Sequence, residues 1–316
     1  MTEKIVGMIS SYPNLNQGDW LWKQTPYPMG VWGNISMQAN APEPDYLLLY
    51  QFDFPEPKKE QGGWKNWLKK PAKQQQALPS ILGRVPKERI IYLLREPPLP
   101  EVLSTNLENY RIASEYCGYV SGPDDYAPQP YYMPADWHIS NSFRDLADLP
   151  CPEKIRLCSW ITSGTTRTAN HRHRLAFMQL IKDNELPFDF YGRGLPDWTG
   201  SRGSVQNKWN VLAPYYYNLA IENYAQSRWY ISEKLWDPLL AWCLPIYYGG
   251  ADAEKLLPPK SFLRLPSLDQ KGVDYLREVT SSLDAWHEAK EAIAEARQVI
   301  LYELNLLNWL SNFVVS

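Results

Sequence analysis

The sequence predicts an α/β protein of two Rossmann-like halves facing a central cleft, with residues 1–150 as one half and 151–316 as the other. Three observations carry this. Short apolar runs of the kind buried on both faces of a parallel sheet recur along the chain, from KIVGMI near the start to LPIYY at Leu244–Tyr248. Several end in polar residues, as strands do at the ligand-binding edge of an open α/β sheet. At 316 residues the chain is long enough for two domains, each with its own core.

In the first half, Lys4–Ile9 is the first parallel strand. The following Ser10–Gly33 is loop-rich, with Pro13, Pro26, Pro28, Gly18 and Gly30 among Trp20, Trp22 and Trp32. These tryptophans either line a cleft or cap the core. Asp45–Phe52 is the second strand, with Asp53 at its carboxyl end. Lys58–Gln76 is basic, with Trp64, Trp67 and Leu68 interleaved. It reads as a solvated insertion with a helical turn, or as a segment for a membrane surface or an anionic acceptor. Arg89–Arg95 is the third strand, and Pro97-Pro98 stop it so that Glu96 sits at its carboxyl edge. Tyr116–Ser121 is the fourth, ending near Asp124-Asp125, and Tyr126–Trp137 is a Pro- and Tyr-rich loop. Asn141–Pro152 links the halves, stiffened by Pro150 and Pro152.

The second half opens with the strand Lys154–Ile161, then Thr162-Ser163-Gly164 and an amphipathic helix burying Leu175, Phe177, Met178 and Ile181. Arg172 and Arg174 fall in its first turns. Phe188–Gly194 is a strand and tight turn in which Gly192 and Gly194 permit positive φ. Tyr216–Ile221 is the next strand, ending in Glu222-Asn223, and Arg228–Ile231 is a second short β-prone run. Ser232 is positioned to cap a helix with Glu233 and Lys234 in its first turn. The strand Leu244–Tyr248 follows, stopped by Gly249-Gly250. Free amides and the helix dipole after Ser232 favour an anion such as pyrophosphate. Pro238 should kink that helix. From Tyr275 to Phe313 the pattern is helical, with Trp286, Ile293, Ile300, Leu304 and Leu307 on one apolar stripe bracing the domains or, alternatively, contacting a second copy.

Composition narrows the function. The apolar fraction of 44% is ordinary for a soluble protein, and 14 Trp and 21 Tyr suit stacking on sugars or bases as well as cores. A net charge of −3 argues against a nucleic-acid binder. Cys117, Cys151, Cys158 and Cys243 lack CxxC spacing, so reduced thiols are the simpler reading. No DxD stands in a suitable loop. The four histidines lack ligand spacing except the i, i+2 pair His171/His173, which reads as surface, so no metal is expected. Without a membrane-length apolar run or a signal-peptide core, the expected location is the cytoplasm, with possible peripheral contact with an inner membrane.

LAIEN, YISEKLW and LPIYYGG in that order resemble the donor-binding signature of the α-1,3/4-fucosyltransferases, glycosyltransferase family 10. FDFYGRG and PPKSFLRL also resemble family stretches, and the likeness covers about Lys154–Asp269, with Arg89–Glu96 matching more loosely. The chain departs from the pattern at Tyr216 (often Lys), at Trp242 (usually small) and by one extra residue between Asn223 and Tyr230.

The resemblance implies the GT-B arrangement and inverting transfer of L-fucose from GDP-fucose, without a metal cofactor. The acceptor would be a 3- or 4-hydroxyl of GlcNAc or a similar sugar in a glycan. It implies that the first half supplies the acceptor site and general base, for which Glu96 is the candidate, since one carboxylate opposite the leaving group serves an inverting enzyme. It also implies donor-diphosphate contacts from an early helix Arg. Arg174 begins R-x-x-F and matches best, with Arg172 close behind. Lys234 and the amides after Ser232 would share the diphosphate. Asn223 and Tyr230 would contact phosphate or sugar, and Glu233 the ribose or fucose hydroxyls. Glu222 is either a second donor contact or a buried structural carboxylate pairing an Arg. The alternatives are a transferase for another GDP-deoxysugar and a non-catalytic nucleotide-sugar or glycan-binding protein.

Overall fold

A computed structural model describes residues 3–12, 19–39, 41–55 and 80–315. The basic stretch Lys58–Gln76, Pro13, Gly18 and the Trp20 side chain lie outside what it describes.

The first sheet holds β1 (Lys4–Ile9), β2 (Val31–Trp32), β3 (Ile35–Gln38), β4 (Tyr46–Tyr50), β5 (Ile90–Leu93), β6 (Tyr119–Gly122) and β7 (Gln129–Pro130). Their order is β2-β3-β1-β4-β5-β6-β7, parallel throughout except for β2 against β3. The second sheet holds β8 (Arg156–Ile161), β9 (Phe188–Tyr191), β10 (Tyr215–Ile221), β11 (Leu244–Tyr248) and β12 (Leu263–Arg264), all parallel in the order β12-β11-β10-β8-β9. The apolar runs became buried strands because a parallel sheet covered on both faces takes continuous Val, Ile and Leu.

Helices α1 (Asp19–Trp22), α2 (Leu103–Tyr116) and α3 (Phe143–Asp148) accompany the first sheet and the link. The second half carries α4 (Ala169–Asp183), α5 (Lys208–Leu212), α6 (Glu233–Leu240), α7 (Ala253–Leu256), α8 (Gln270–Val279), α9 (Asp284–Gln298) and α10 (Leu306–Val315). The expected link is partly helical, because Ser142 and Asp145 form a reciprocal capping box that starts α3. Tyr116 ends α2 and does not begin a strand; β6 starts three residues later, after Gly118 donates its amide to Lys87.

Two further expectations are corrected. Arg228–Ile231 is a turn, because its end is drawn off any sheet by the bonds Ser232 makes to Glu222. The terminal stripe is split at Asn305: Trp286, Ile293 and Ile300 pack in the second core, whereas Leu306, Leu307 and Leu310 of α10 pack beneath Val6, Met8, Ile91 and Leu93 of the first sheet. The chain end thus returns to the first sheet. Backbone bonds between Ala135 and the Leu304–Leu306 segment hold it there.

Of the early tryptophans, Trp32 packs edge-on against Phe143 at 5.7 Å and closes the core, whereas Trp22 is exposed and donates its indole N–H to the Met37 carbonyl at 2.8 Å. The four cysteines are unpaired. Among the described residues no helix is long and apolar enough to cross a membrane.

Candidate functional site

A cavity of about 570 Å³ opens at the carboxyl edge of the second sheet, lined by Thr162 and Ser163 after β8, Gly192 and Arg193 after β9, Asn223 after β10, and the first turns of α4 and α6. This is where an open parallel sheet offers strand ends and helix N-termini together. Gly192 is needed for the shape: its φ is 145°, and a Cβ there would lie 1.5 Å from the Thr162 carbonyl oxygen.

Arg174 is the cavity's central cation. It comes from the second turn of α4, is 4% exposed, and donates from Nη1 to Asn223 Oδ1 at 2.7 Å. Its Nε has no partner among the described residues, and burial pulls its pKa down, only partly offset by the carboxylate of Glu222. Arg172 goes elsewhere. It is exposed, donates to the Thr166 and Arg167 carbonyls, and does not line the cavity.

The α6 N-terminus is built as its sequence suggests. Ser232 is the N-cap and accepts from the Lys234 amide, while its own hydroxyl and amide donate to Glu222 at 2.7 and 2.8 Å. Glu222 is thereby a structural carboxylate, but it fastens Ser232 and Lys234 rather than an Arg, with Lys234 Nζ at 3.5 Å. Burial pushes the Glu222 carboxyl up, against the pull of Lys234. Lys234 Nζ also sits 3.2 Å from Glu233 Oε1, and both residues line the cavity. Burial would raise Glu233, but Lys234, Lys208, His138 and Arg95 outweigh it and hold this carboxyl well below its ordinary range. Pro238 stands inside α6, two residues before its last residue Leu240.

Tyr230 is buried beside the cavity and does not line it. Burial, then Glu222, Glu233 and Glu96, raise its hydroxyl pKa well above the usual value, which keeps it neutral. Glu96 lies beyond the cavity, three residues past the end of β5. Gln51 Oε1 accepts the amides of Arg95 and Glu96 at 2.8 and 3.1 Å, and the Tyr12 hydroxyl donates to the Glu96 carboxylate.

Sequence reasoning missed several participants. Lys208 of α5 lines the cavity and donates to the buried Asp237 at 2.6 Å. Asp237 also accepts the His138 amide, and Arg95 pairs with Asp136 at 2.6 Å. His171 was expected at the surface; it is buried and lines the cavity, because its Nδ1 closes the capping box with Thr168 at the start of α4. The Thr168-x-x-His171 spacing was the available signal. Its neighbour His173 is exposed. Among the described residues no three His, Cys, Asp or Glu gather to hold a metal ion. Tyr216 and Trp242, the departures from the family pattern, pack elsewhere: Tyr216 against Trp286 at 5.1 Å, and Trp242 beneath the Arg297 guanidinium at 4.4 Å.

The model of the glycosyltransferase family 10 (fucosyltransferase) C-terminal region matches residues 151–289. An α-(1,3)-fucosyltransferase, FucT, of Helicobacter pylori is 31% identical over 85 residues, 26% of this chain and 18% of that protein. The α-(1,3)-fucosyltransferase C of Drosophila melanogaster is 31% identical over 108 residues, 32% of this chain and 25% of that protein. The alignments thus span a quarter or less of those relatives' lengths. A solved α-glucosyltransferase in complex with UDP-glucose and DNA has the same fold at a TM-score of 0.54 and 9% identity, covering 94% of this chain and 95% of that one. The two-sheet architecture is therefore GT-B, and residues 151–289 match the C-terminal region of glycosyltransferase family 10, the fucosyltransferases.

Proposed function

We propose that the chain is an inverting glycosyltransferase that moves L-fucose from GDP-fucose to the 3- or 4-hydroxyl of GlcNAc or a similar sugar in a glycan acceptor. The observation that carries this is Arg174, a buried guanidinium held in direction by a neutral amide and left without an ion-pair partner among the described residues. A buried, unneutralised cation is costly unless an anion completes it. The adjacent Lys234 and the α6 N-terminus make a diphosphate the natural anion.

In this reading the second half, residues 151–316, holds the donor and the first half, residues 1–150, brings acceptor and base. Arg174 and Lys234 take the diphosphate, with Asn223 orienting Arg174. Glu233, kept ionised by Lys234, Lys208 and Arg95, accepts from neighbouring hydroxyls of the ribose or the fucose. Tyr230 stays protonated and can donate. Glu96 removes the acceptor hydroxyl proton as the anomeric carbon–phosphate oxygen bond breaks, and the diphosphate leaves onto Arg174 and Lys234. Neither Tyr216 nor Trp242 reaches the cavity, so neither departure speaks against fucose.

A thermal-shift panel of GDP-fucose, GDP-mannose, GDP, UDP-galactose and CMP-sialic acid tests the donor. A ligand at about 100 times its Kd adds ~2.7 kcal/mol. Stabilisation by GDP and GDP-fucose alone is expected. A preference for another nucleotide sugar would change the substrate, and no shift with any would overturn the donor site.

A further inference from the structure

His138 does not line the donor cavity but stands behind its wall, with its amide on the lining residue Asp237, and the paired charges around it leave little free for a dianion. Arg95 is paired with Asp136, Lys208 with Asp237, and Lys234 with both Glu222 and Glu233, which leaves Arg174 as the inward cation without an ion pair among the described residues, and Glu96 adds one more carboxylate. The rim arginines Arg167 and Arg193 are exposed. A doubly charged diphosphate entering this cluster raises the proton affinity of every titratable group beside it.

His138 is built to answer that change. Its neighbours Asp136, Trp137 and Ile139 are buried, at 1%, 3% and 5% exposure, while its own side chain is 42% exposed and so projects from a fixed loop. Its amide is anchored to Asp237 Oδ1 at 2.9 Å. Its Nε2 lies 3.5 Å from Asp136 Oδ2, and the other oxygen of that carboxylate is held by Arg95 at 2.6 Å. From α6 it faces Glu233 and Asp237, from α5 Lys208, and from the end of β5 the Arg95 that fixes its partner. Burial alone would lower its pKa, but Asp136 and Glu233 outweigh burial and Lys208 and raise it above 6.5. Glu222, whose carboxyl is also raised, is the competing proton acceptor.

We propose that His138 is a donor-positioning residue that takes one proton from solvent as the nucleotide sugar binds, its imidazolium completing the positive charge that the diphosphate requires. The proton returns to solvent when the diphosphate product leaves. This rests on the donor reading above.

Isothermal titration of GDP-fucose into the full chain, in buffers of different ionisation enthalpy at about pH 7.5, counts the protons taken up. The sugar nucleotide's diphosphate is fully ionised there and contributes none. The wild type is expected to take up a substantial fraction of one proton per donor, and its Kd to rise by up to about tenfold per pH unit above neutrality. His138→Asn should bind more weakly, with no uptake and a flat pH profile; His138→Lys should restore affinity and keep the profile flat. Wild-type binding without proton exchange would overturn the proposal. So would uptake that persists in His138→Asn, which would move the proton to Glu222. Absence of GDP-fucose binding by the folded wild type would instead overturn the donor reading itself.

Discussion

Arg174 Nη1 donates to the side-chain carbonyl of Asn223 across 2.7 Å, joining the first turns of α4 to the end of β10. An amide fixes the direction of a guanidinium without neutralising it. The carboxylate that acts on it, Glu222, is already committed to Ser232, Tyr247 and Lys234. The cavity therefore keeps an oriented positive charge in reserve.

Arg174→Ala should weaken GDP-fucose binding by about 10²-fold, since two charge-assisted hydrogen bonds are worth ~1.5 kcal/mol or more each. Unfolding stability should fall little, because the substitution also removes a buried cation without an ion pair. Arg172→Ala should leave affinity unchanged, as that side chain serves the Thr166 and Arg167 carbonyls. Titration calorimetry on both variants checks this. Equal losses would return Arg172 to the site.

Glu96→Gln should lower turnover by ~10²–10⁴-fold while donor affinity barely changes, the signature of a lost general base. Gln51 holds the Glu96 backbone and Tyr12 its carboxylate, so the amide variant should keep its place. Wild-type turnover in that variant would remove Glu96 from the role.

The contrast between Ser232 and His138 shows what could be read from the sequence. Ser232, Glu233 and Lys234 are consecutive, so their place at a helix start follows from local rules, and the strands were legible as apolar runs. The charged ring around His138 is different. Arg95 meets Asp136 across 41 residues, His138 meets Asp237 across 99, and Lys208 meets Asp237 across 29. Taken singly, each reads as a solvated charge, and only the fold makes them neighbours. Arg228–Ile231 failed for the opposite reason: its local β preference is genuine, but the neighbouring Ser232 is claimed by a carboxylate ten residues back. The return of α10 to the first sheet was likewise hidden, because an apolar stripe does not say which core it enters.

Turnover should survive EDTA. Arg174, Lys234 and the amides that open α6 supply the positive charge on the diphosphate side, the task a divalent ion performs in metal-dependent transferases. An initial-rate assay with and without chelator decides it. Complete loss restored by Mn²⁺ would show that the side chains do not suffice.

The pair Arg95–Asp136 should make stability depend on acid pH. Burial alone would raise Asp136, but Arg95, then His138, outweigh it and lower its pKa from 3.8. A carboxyl depressed in the folded state stabilises it fully above the unfolded-state pKa, and that contribution is lost as pH falls through the folded value. Asp136→Asn should therefore cost about 3–5 kcal/mol near neutrality, where it strands a buried guanidinium. The gap to wild type should narrow as pH falls below about 4, where the unfolded chain takes up this proton first and the folded chain only at lower pH. Glu233 and Asp189 are depressed too, so the variant keeps some acid sensitivity. Urea unfolding at neutral and acid pH measures both gaps. A gap that stays constant across pH would mean that the lost stability comes from packing and not from the ion pair.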